Sequence, residues 1–514
     1  MPGPRRGGVH AGQAPPHDRP RGQGRAAAPA GLGSERGRRA ARCGHRRRGP
    51  PRPGRGAGSG RGRVGGRGRG RGGLRPGHRA RPAGLRAPAR RDAPGRLRRR
   101  RHQRPGGPGR GRSHQPRPCA PPLRPVGAPG DVRRPGRIAI VTFSVKPRGG
   151  AVHSVELAEA LAAEGVDVTL IALGDPAEGF FRAATVPVHI IEAPRRAPTL
   201  TERVFSHIDA LESGLADQRG RFDIVHTQDC ISARAAARVR DRGGGFRLFR
   251  TVHHIDDFTT PALIECQDAA ILEPDRVLVV SDPWRRRLLD EYGVEAAVVT
   301  NGVRVERFAG ARPPGERDRL RARIGAADRH VFLTVGGIEP RKGSQYLVEA
   351  LGLLKAMPGR APMLAVVGGH SFQDYRAYRD GVLDSLRSHG LRLDDDVALV
   401  GTVPDAELPG WFGAADSFVF PSVSEGWGLA VLEALAAGLP VVTSDIEVFK
   451  EFLTHDVDVV MTETANPASV AAGMARVRDE PDLVQRLRTN GAATAGRYSW
   501  SSTARRHLEL YTAD

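Results

Sequence analysis

Short apolar strands alternate with helices along this chain, and the alternation begins twice. The segments Arg137–Phe143 and Val331–Val335 each have the composition of a buried strand, and each precedes a glycine-containing loop and a helix. A strand, a glycine loop, a helix and a second strand form a βαβ unit, which implies a parallel sheet. The sequence therefore predicts an α/β protein with two Rossmann-like domains.

Two such domains would face a shared cleft, because ligands of open α/β sheets bind beyond the carboxyl ends of the strands. A polar stretch rich in Arg, Pro and Gly, Val305–His330, separates the halves. We expect a first domain over residues 137–304, a second domain over residues 305–485, and C-terminal helices over residues 486–514 that pack back on the first.

The first 136 residues differ in composition from the rest. They contain 37 arginines, no lysine and four acids, a net charge of +33, whereas the remaining residues carry a net charge of −9. This segment lacks Ile, Phe, Tyr, Trp and Thr, so it has too few apolar side chains to offset the entropy cost of folding. We expect residues 1–136 to be a disordered arm.

Three interpretations of the arm stay open. Dense arginine could bind nucleic acid through its phosphates, although the arm lacks the aromatic residues that stack on bases. The arm could also be a solvated linker. We favour a mis-assigned start, because Arg, Gly, Pro and Ala all have GC-rich codons, and the true start would then lie near residues 126–137. No specific nucleic-acid partner is expected.

The cysteines and the hydropathy of the chain exclude several classes of protein. Cys43, Cys119, Cys230 and Cys266 form no CxxC pair, so neither a disulfide framework nor a zinc site is predicted. The N-terminus lacks the apolar region of a secretory signal, and no run of about 18 apolar residues is present to span a membrane. We expect a cytoplasmic protein, with peripheral membrane association left open.

The segment Ser424–Ser444 (SEGWGLAVLEALAAGLPVVTS) carries the strongest chemical pattern. Glu425 and Glu433 stand eight positions apart, and Gly426 and Gly428 open a helix between them. A helix that begins on glycines offers backbone N–H groups and a positive dipole end to a phosphate. Eight helical residues rise about 12 Å, roughly the distance from a sugar ring to a ribose across a diphosphate. A pair of acids without a functional role is an equally open alternative.

A loop in the second half supplies candidate cations. Arg341 and Lys342 lie between Gly337 and Gly343, directly before a predicted helix. A cation in that place suits a diphosphate, and the flanking glycines let a ligand approach the backbone. A solvated loop charge is the alternative.

Histidines and glycines mark three strand ends in the first half. His226 and His253 fall at the carboxyl ends of two predicted strands, and Gly149 and Gly150 follow a third. Ligands bind at that edge of a parallel sheet, so the clustering favours a functional site over isolated structural histidines. The glycine pair does not match G-x-G-x-x-G, and no dinucleotide fingerprint is predicted.

Several segments after the arm, taken together, resemble the retaining GT-B glycosyltransferases of glycosyltransferase family 4, the glycosyl transferases group 1. The resemblance rests on RGGAVHSVELAEALAAEGVDVTL, DIVHTQD, TVHH, VVSDPWRRRLL, VTNGV, GGIEPRKGSQYLVEAL and SEGWGLAVLEALAAGLPVV. It implies a GT-B fold whose second domain holds a nucleotide-diphospho-sugar, UDP- or GDP-linked. The first domain would hold the acceptor, which would be a glycan, a lipid or a small molecule.

The resemblance also implies roles for individual residues. Lys342 matches the lysine that neutralises the donor diphosphate. Glu425 matches the acid that binds sugar hydroxyls, Glu433 the acid that holds the ribose, and His253 the histidine beside the sugar. The other residues expected to contact the donor are Gly149, Gly150, Gly337, Arg341, Gly426, Trp427, Gly428 and Leu429.

Two positions depart from the family's pattern. Gly337 stands where family members often carry an arginine, and Arg341 is the candidate to supply that charge from a different position. Arg304 follows Asn301, Gly302 and Val303, where an acid is usual.

The charge that develops in the reaction suggests a mechanism. As the sugar–phosphate bond breaks, negative charge grows on the leaving diphosphate, where Lys342 and the helix N–H groups would stabilise it. No metal-ligating cluster is visible, and the resemblance implies metal-independent transfer with retention. No residue is an evident covalent nucleophile, so we expect a front-face reaction in which the leaving phosphate helps to take the acceptor proton. The same fold hosts sugar-nucleotide epimerases and sugar phosphorylases, which stay open as alternatives.

Overall fold

The computed structural model describes residues 136–195, 197–310, 313–369, 373 and 375–513. Within these residues the chain forms two parallel β-sheets, one in each half. The prediction of two Rossmann-like domains is confirmed. The predicted arm lies outside the described residues except for Gly136.

The first half builds a seven-stranded sheet. Its strands are β1 (Ile138–Thr142), β2 (Val168–Gly174), β3 (Val188–Glu192), β4 (Ile224–Thr227), β5 (Arg247–Val252), β6 (Arg276–Val279) and β7 (Ala297–Val298). They pair in parallel in the order β3-β2-β1-β4-β5-β6-β7. In the centre of the sheet, Ile140 of β1 stands opposite Leu170 on one side and His226 on the other.

Helices cover both faces of this sheet. The residues of β1 are therefore buried on both faces, as is typical of a parallel sheet. The helices are α1 (Gly149–Ala163), α2 (Leu200–Ala216), α3 (Cys230–Val239), α4 (Pro261–Leu272) and α5 (Asp282–Tyr292). Helix α2 begins with a capping box, in which the Thr199 side chain accepts from the Glu202 N–H and the Glu202 carboxylate accepts from the Thr199 N–H.

The second half repeats this design with six strands. They are β8 (His330–Val335), β9 (Pro362–Val367), β10 (Val397–Gly401), β11 (Ser417–Phe420), β12 (Val441–Ser444) and β13 (Val460–Thr462). Their order is β10-β9-β8-β11-β12-β13, again all parallel. The remaining helices are α6 (Val305–Ala309), α7 (Glu316–Arg323), α8 (Ser344–Lys355), α9 (Arg376–Asp384), α10 (Leu408–Ala414), α11 (Leu429–Ala436), α12 (Glu447–Lys450), α13 (Pro467–Asp479), α14 (Pro481–Ala495) and α15 (Trp500–Thr512).

The polar stretch between the halves is more ordered than a spacer. It contains α6 and α7, and α7 packs against α10. Leu320 is fully buried, and the Arg321 guanidinium, 5% exposed, donates to the carbonyl oxygens of Ala414 and Ala326. The stretch is therefore a packed part of the second half, because a buried arginine here serves as a cap for backbone carbonyls.

Two segments cross between the halves, and they lie side by side. The Val303 N–H donates to the Tyr498 carbonyl oxygen at 3.0 Å, and a Cβ at Gly302 would lie 2.2 Å from the Trp500 nitrogen. After the second crossing, α15 packs on α1 and buries Tyr511 in the core of the first half. The chain therefore ends on the sheet with which the described residues begin.

Two negative observations apply to the described part of the chain. No helix there combines the length and the apolar composition needed to cross a bilayer. Cys230 and Cys266 are free thiols, while Cys43 and Cys119 lie outside the described residues.

Candidate active site

The carboxyl ends of the central strands supply the loops of the candidate site. In each sheet the strand order turns at its centre, between β1 and β4 in the first sheet and between β8 and β11 in the second. Ligands of open α/β sheets bind at such switch points, because the loops on either side leave in opposite directions. Most of the residues singled out from the sequence lie in the loops that follow these four strands.

Glycines bring the loops after β8 and β11 together. Gly343 has a left-handed φ of 67°, and a Cβ there would lie 2.1 Å from the Pro421 carbonyl oxygen. The Val423 N–H donates to the Arg341 carbonyl oxygen at 2.8 Å. These contacts hold the single helical turn Pro340–Lys342 against the loop after β11.

Two cations converge on one carboxylate between these loops. Lys342 Nζ donates to Glu425 Oε1 at 2.6 Å, and a guanidinium nitrogen of Arg341 lies 3.3 and 3.4 Å from the two Glu425 oxygens. Lys342 Nζ also stands 4.5 Å from the centre of the Phe420 ring, a cation–π contact. The structure therefore brings together Arg341, Lys342 and Glu425.

The pKa shifts show that this carboxylate is ionised. Burial alone would raise the pKa of Glu425, but Lys342 and Arg341 outweigh it, and the pKa lies below its ordinary value. Burial and the neighbouring Arg341 lower the pKa of Lys342, against the opposite effect of Glu425. The carboxylate balances two cations that are also of a kind to bind a diphosphate.

The structure explains why the second cation comes from Arg341. A Cβ at Gly337 would lie 2.8 Å from the Gly369 carbonyl oxygen and 3.1 Å from Glu339 Oε1, so a longer side chain has no room there. Arg341 Nε pairs with Glu339 Oε2 at 3.2 Å while its terminal nitrogens reach Glu425. The guanidinium therefore bridges two acids beside Lys342.

Helix α11 begins beside these charges, with Gly428 as its N-cap at a φ of 107°. A Cβ at Gly428 would lie 2.6 Å from a ring carbon of Phe449, so only glycine fits this turn. The N–H groups of Val431 and Leu432 donate to the Gly428 carbonyl oxygen, so those of Leu429 and Ala430 are the ones that precede the first bond of the helix. They are available to an anion.

The predicted contact of Trp427 with the donor concerns its backbone N–H group. Its indole is 2% exposed and stacks on the Phe452 ring with centroids 4.5 Å apart, with Tyr498 at its edge. The side chain belongs to the core of the second half, and only its backbone stays a candidate for phosphate contact.

The first half contacts the segment around Glu425 directly. A Cβ at Gly426 would lie 2.1 Å from the His253 carbonyl oxygen. Ser281 Oγ donates to the Gly426 carbonyl oxygen at 3.0 Å, and Trp284 Nε1 donates to the Glu425 carbonyl oxygen at 2.9 Å. These contacts fix the backbone of the second half against the ends of β5 and β6.

Sequence reasoning assigned no role to Ser281 or Trp284. Both lie in the segment VVSDPW directly after β6. A polar residue and an indole at the end of a parallel strand were the available signal, since that edge of the sheet faces the other half.

His253 is held as a neutral imidazole at the end of β5. Its Nε2 lies 3.0 Å from Gln228 Oε1, and the ring of His153 meets it edge to face at 4.6 Å between centroids. Burial, with His254 and Arg250 nearby, lowers the pKa of His253 to about 3. The ring can therefore exchange hydrogen bonds with a ligand without carrying charge.

His226 does not share this position. It is fully buried, with Nδ1 2.5 Å from Tyr511 Oη and Nε2 2.8 Å from Thr251 Oγ1. The clustering of strand-end histidines favoured a functional role, but His226 joins α15 to the sheet and is structural.

Positive charge gathers where the loop after β1 meets α2. Burial and the charges of Arg203 and Arg148 lower the pKa of His207 to about 4. Burial also lowers the pKa of Arg148, which is further lowered by Arg203 and raised by Glu339 from the other half. Gly149 follows Arg148 at the start of α1, and a Cβ there would have nothing within 4 Å. Open space therefore adjoins these cations.

Gly150 lies in the same helix start, and a Cβ there would also meet nothing within 4 Å. Both glycines are therefore placed to let a ligand approach the backbone, as the sequence predicts for this loop.

Glu433 lies in the middle of α11, whereas Glu425 lies in the loop before the helix, so only part of the predicted eight-residue helical rise separates the two acids. Burial raises the pKa of Glu433 to about 8, against the opposing effect of Arg307 and with Glu156 adding to the rise. At neutral pH this acid is mostly protonated, so it can both donate and accept a hydrogen bond.

Arg304 follows the first crossing and pairs with acids of the first half. Its Nε donates to Glu156 at 2.5 Å, and its terminal nitrogen pairs with Glu159. Arg182 binds the same two acids at 3.0 and 2.9 Å. The cation at position 304, where an acid is usual, is therefore matched by two acids on α1.

A hydrogen bond from the loop after β9 also joins the halves. The Gln373 amide donates to Asp256 Oδ1 at 2.6 Å, and Arg341 is close enough to lower the pKa of Asp256. Among the residues that the structure describes, no group of three His, Cys, Asp or Glu side chains is arranged to hold a metal ion. Metal independence stays a prediction.

Comparison with known families matches both halves of the chain. Residues 147–307 match the family model Glycosyltransferase Family 4, and residues 316–494 match the model Glycosyl transferases group 1. A D-inositol 3-phosphate glycosyltransferase of Kineococcus radiotolerans is 30% identical over 418 residues, covering 73% of this chain and 94% of that protein. A protein of the same name from Thermobispora bispora is 27% identical over 416 residues, covering 74% of this chain and 95% of that one.

Solved structures share the arrangement of the two sheets. Anabaena Alr3699/HepE, in complex with UDP and glucose, has a TM-score of 0.60 at 17% identity and covers 74% of this chain and 100% of its own. Sucrose-phosphate synthase from Thermosynechococcus elongatus has a TM-score of 0.61 at 21% identity, covering 73% of this chain and 98% of its own. At these identities the likeness concerns the fold.

Proposed function

Because the chain belongs to glycosyltransferase family 4, we propose that it moves a sugar from a nucleotide-diphospho-sugar to a hydroxyl acceptor with retention of anomeric configuration. The donor would be held by the second half and the acceptor by the first. Glycosyl transfer itself follows from the family. The donor, the acceptor, the stereochemistry and the residue roles are our proposal.

The observation that carries the proposal is the pair of cations on Glu425. Lys342 and Arg341 both reach this carboxylate, beside the N-terminus of α11. A bound diphosphate would take up these cations and the free N–H groups of the helix. As the bond to the sugar breaks, the charge that grows on the phosphate would be stabilised by groups already in place.

The same geometry favours a front-face reaction. Glu425 is held by two cations, which suits it to bind sugar hydroxyls and not to attack carbon. His253 is neutral and close to Gly426, where it would orient the sugar or the acceptor hydroxyl. We propose that the leaving phosphate takes the acceptor proton and that transfer proceeds on one face of the sugar.

The acceptor site would lie at the carboxyl edge of the first sheet. Arg148 and Arg203 lie there with the neutral His207, beside the open start of α1. A cationic site suits an acceptor with an anionic group, and relatives of this chain bear the name D-inositol 3-phosphate glycosyltransferase. We propose a phosphorylated polyol of this kind as the acceptor class.

A donor screen tests the proposal. The full chain would be incubated with UDP- and GDP-sugars, with and without EDTA, and the thermal midpoint recorded; a donor in excess of its Kd by about 100-fold should stabilise the protein by about 2.7 kcal/mol. UDP-glucose is the first probe, because a protein of the same fold binds it. Conversion of a nucleotide sugar without any acceptor would indicate an epimerase instead.

An acceptor pair tests the second half of the proposal. Transfer to inositol 3-phosphate would be compared with transfer to inositol, and the anomeric configuration of the product read by NMR coupling constants. The phosphorylated acceptor should have a KM at least about tenfold lower. Equal KM values would refute the anionic acceptor site, and an inverted product would refute retention.

A further inference from the structure

The ring of His253 rests on a glutamine that has no assigned role. Gln228 lies directly after β4 and is 3% exposed. Its N–H donates to the Val141 carbonyl oxygen at 3.0 Å, which fixes the residue between β1 and β5. Its side-chain oxygen lies 3.0 Å from His253 Nε2. The contact is therefore set by the sheet and not by a mobile loop.

The amide nitrogen of Gln228 is buried and has no hydrogen-bond partner among the described residues, so the oxygen's contact with the ring is what orients the amide. With the oxygen in this place, the contact determines which ring nitrogen carries the proton. An amide oxygen accepts hydrogen bonds and cannot donate them, so a neutral imidazole bound to it must carry its hydrogen on Nε2. The other nitrogen, Nδ1, then holds a lone pair. Within the described part of the chain Nδ1 has no hydrogen-bond partner, and His253 is only half-buried.

The surroundings keep the ring neutral. The titratable groups that face it come from four elements and are all histidine or arginine: His254, Arg250, His507, His153 and His226. None of these is an acid that would favour the imidazolium. Burial and these neighbours hold the pKa of His253 at about 3.

A second contact fixes the plane of the ring. His153 meets His253 at 4.6 Å between centroids and 73° between planes. His153 is itself fixed, because its Nδ1 lies 2.9 Å from Asn301 Oδ1. His153 therefore fixes the orientation of the ring, and Gln228 sets its tautomer.

We propose that Gln228 is a positioning residue that holds His253 with Nε2 protonated, so that Nδ1 accepts a hydrogen bond from a hydroxyl of the donor sugar or the acceptor. The inference rests on the proposed function, because it assumes that His253 borders the sugar. A glutamine adds no charge beside the ring. An acid at position 228 would favour the imidazolium, which donates from both nitrogens and accepts at neither.

The tautomer can be read without any activity. The full chain, labelled with 15N-histidine, would be examined by long-range 1H–15N NMR, with the His253 signals identified by their loss in His253→Asn. We expect an Nε2 shift typical of a protonated nitrogen and an Nδ1 shift typical of a lone pair. In Gln228→Met the two shifts should move toward a tautomer mixture. A protonated Nδ1 in the wild type would overturn the proposal.

Kinetics test the consequence. Gln228→Met keeps the volume and removes the acceptor, so kcat should fall at least about tenfold while the donor KM stays within about twofold. Gln485→Met, on the exposed face of α14, is the matched control. A kcat for Gln228→Met within about twofold of the wild type would overturn the proposal.

Gln228→Glu separates positioning from a structural role. The new carboxylate would still accept from Nε2 but would raise the pKa of His253, so the ratio of variant to wild-type kcat should fall at least about fivefold between about pH 8 and pH 5.5. A ratio that stays constant across this range would overturn the proposal. If no nucleotide sugar is transferred at all, the proposed function fails, while the NMR result still decides the tautomer.

Discussion

The two sheet edges that face each other have the same topology and opposite chemistry. Both sheets turn their strand order at the centre, so both offer loops at equivalent places. In the second half those loops hold an ionised Glu425 between Lys342 and Arg341. In the first half they hold a neutral His253 braced by Gln228. The fold supplies the positions, and a few side chains give each edge its own chemistry.

The two sheet edges would also place charged and uncharged groups at different points of the proposed reaction. Charge that develops on the leaving phosphate would meet cations of the second half, while the sugar would meet an uncharged ring of the first. Arg148 and Arg203 are the exception in the first half, because they are cations near the open start of α1. We assign them to the acceptor, and the following experiments test this division.

If removing the Lys342 side chain leaves the rate of transfer unchanged, the proposed division of roles is wrong. In Lys342→Ala the diphosphate would lose its nearest cation, and we expect transfer to fall about 100-fold, measured as initial rates with the donor found in the screen. Circular dichroism should be unchanged. Lys450→Ala removes an exposed lysine of the same half that pairs with Asp445, and it should retain full activity. Equal losses in the two variants would contradict the assignment.

Glu425 tests whether the carboxylate acts on the sugar or only on the cations. Glu425→Gln frees Lys342 and Arg341 from their counter-ion, so UDP alone should bind at least as tightly as to the wild type. Transfer should nevertheless fall at least about tenfold, because the sugar hydroxyls lose a charged acceptor and one of its two oxygens becomes an amide NH2, which cannot accept. Isothermal titration and initial rates measure the two effects. Glu447→Gln, on an exposed acid, is the control. Parallel losses of UDP binding and transfer would assign Glu425 to the fold.

Arg341 tests how much a second cation contributes to donor binding at the edge of the second sheet. Arg341→Ala should raise the donor KM by about fivefold with little change in kcat, because Lys342 remains in place. Adding Gly337→Arg to this variant should not restore the KM, since Gly369 and Glu339 occupy the space beyond a Cβ at 337. If the double variant recovers the wild-type donor KM, the loop at position 337 can open and the steric argument is wrong. Arg392→Ala, which removes an exposed ion pair, is the control for loss of surface charge.

The smallest expected effect concerns Glu433 and stability. Its folded pKa of about 8 lies above the ordinary value, so the folded state keeps a proton that the unfolded chain releases, and stability falls as pH rises from about 4.5 through 8. In Glu433→Gln the amide does not titrate, so this loss of stability with rising pH is absent. The thermal midpoint of this variant should therefore gain a few degrees on the wild type between about pH 5 and 8.5. A pH-independent difference between the two midpoints would contradict the raised pKa.

The sequence predicted the fold because its pattern is local. Strands such as β1 are continuous apolar runs, and the glycines at their ends mark the loops. The helices α6 and α7 were not predicted, because their stretch is rich in Arg, Pro and Gly and its order depends on tertiary contacts. Arg321 shows the reason: its charge is satisfied by carbonyl oxygens of α10 and of its own loop.

The site was predictable only in part. Lys342 and Glu425 were recognisable from their motifs, and their contact follows from the neighbouring positions of β8 and β11. Trp427 was singled out by its place in a glycine motif, and its backbone stays a predicted phosphate contact while its indole packs on Phe452. Gln228, Ser281 and Trp284 were not assigned, because a position at a strand end does not identify the partner, and the atoms that they bind belong to other loops.

The return of α15 to the first half affects how the protein is made. Trp500 and Tyr511 complete the packing around α1 and β1, yet the ribosome adds them only after the second half has been translated. Domains usually fold as they emerge during synthesis. Here the first domain must wait, with an apolar surface uncovered, until α15 has been made. Chaperone demand during synthesis is therefore expected to last until α15 has left the ribosome.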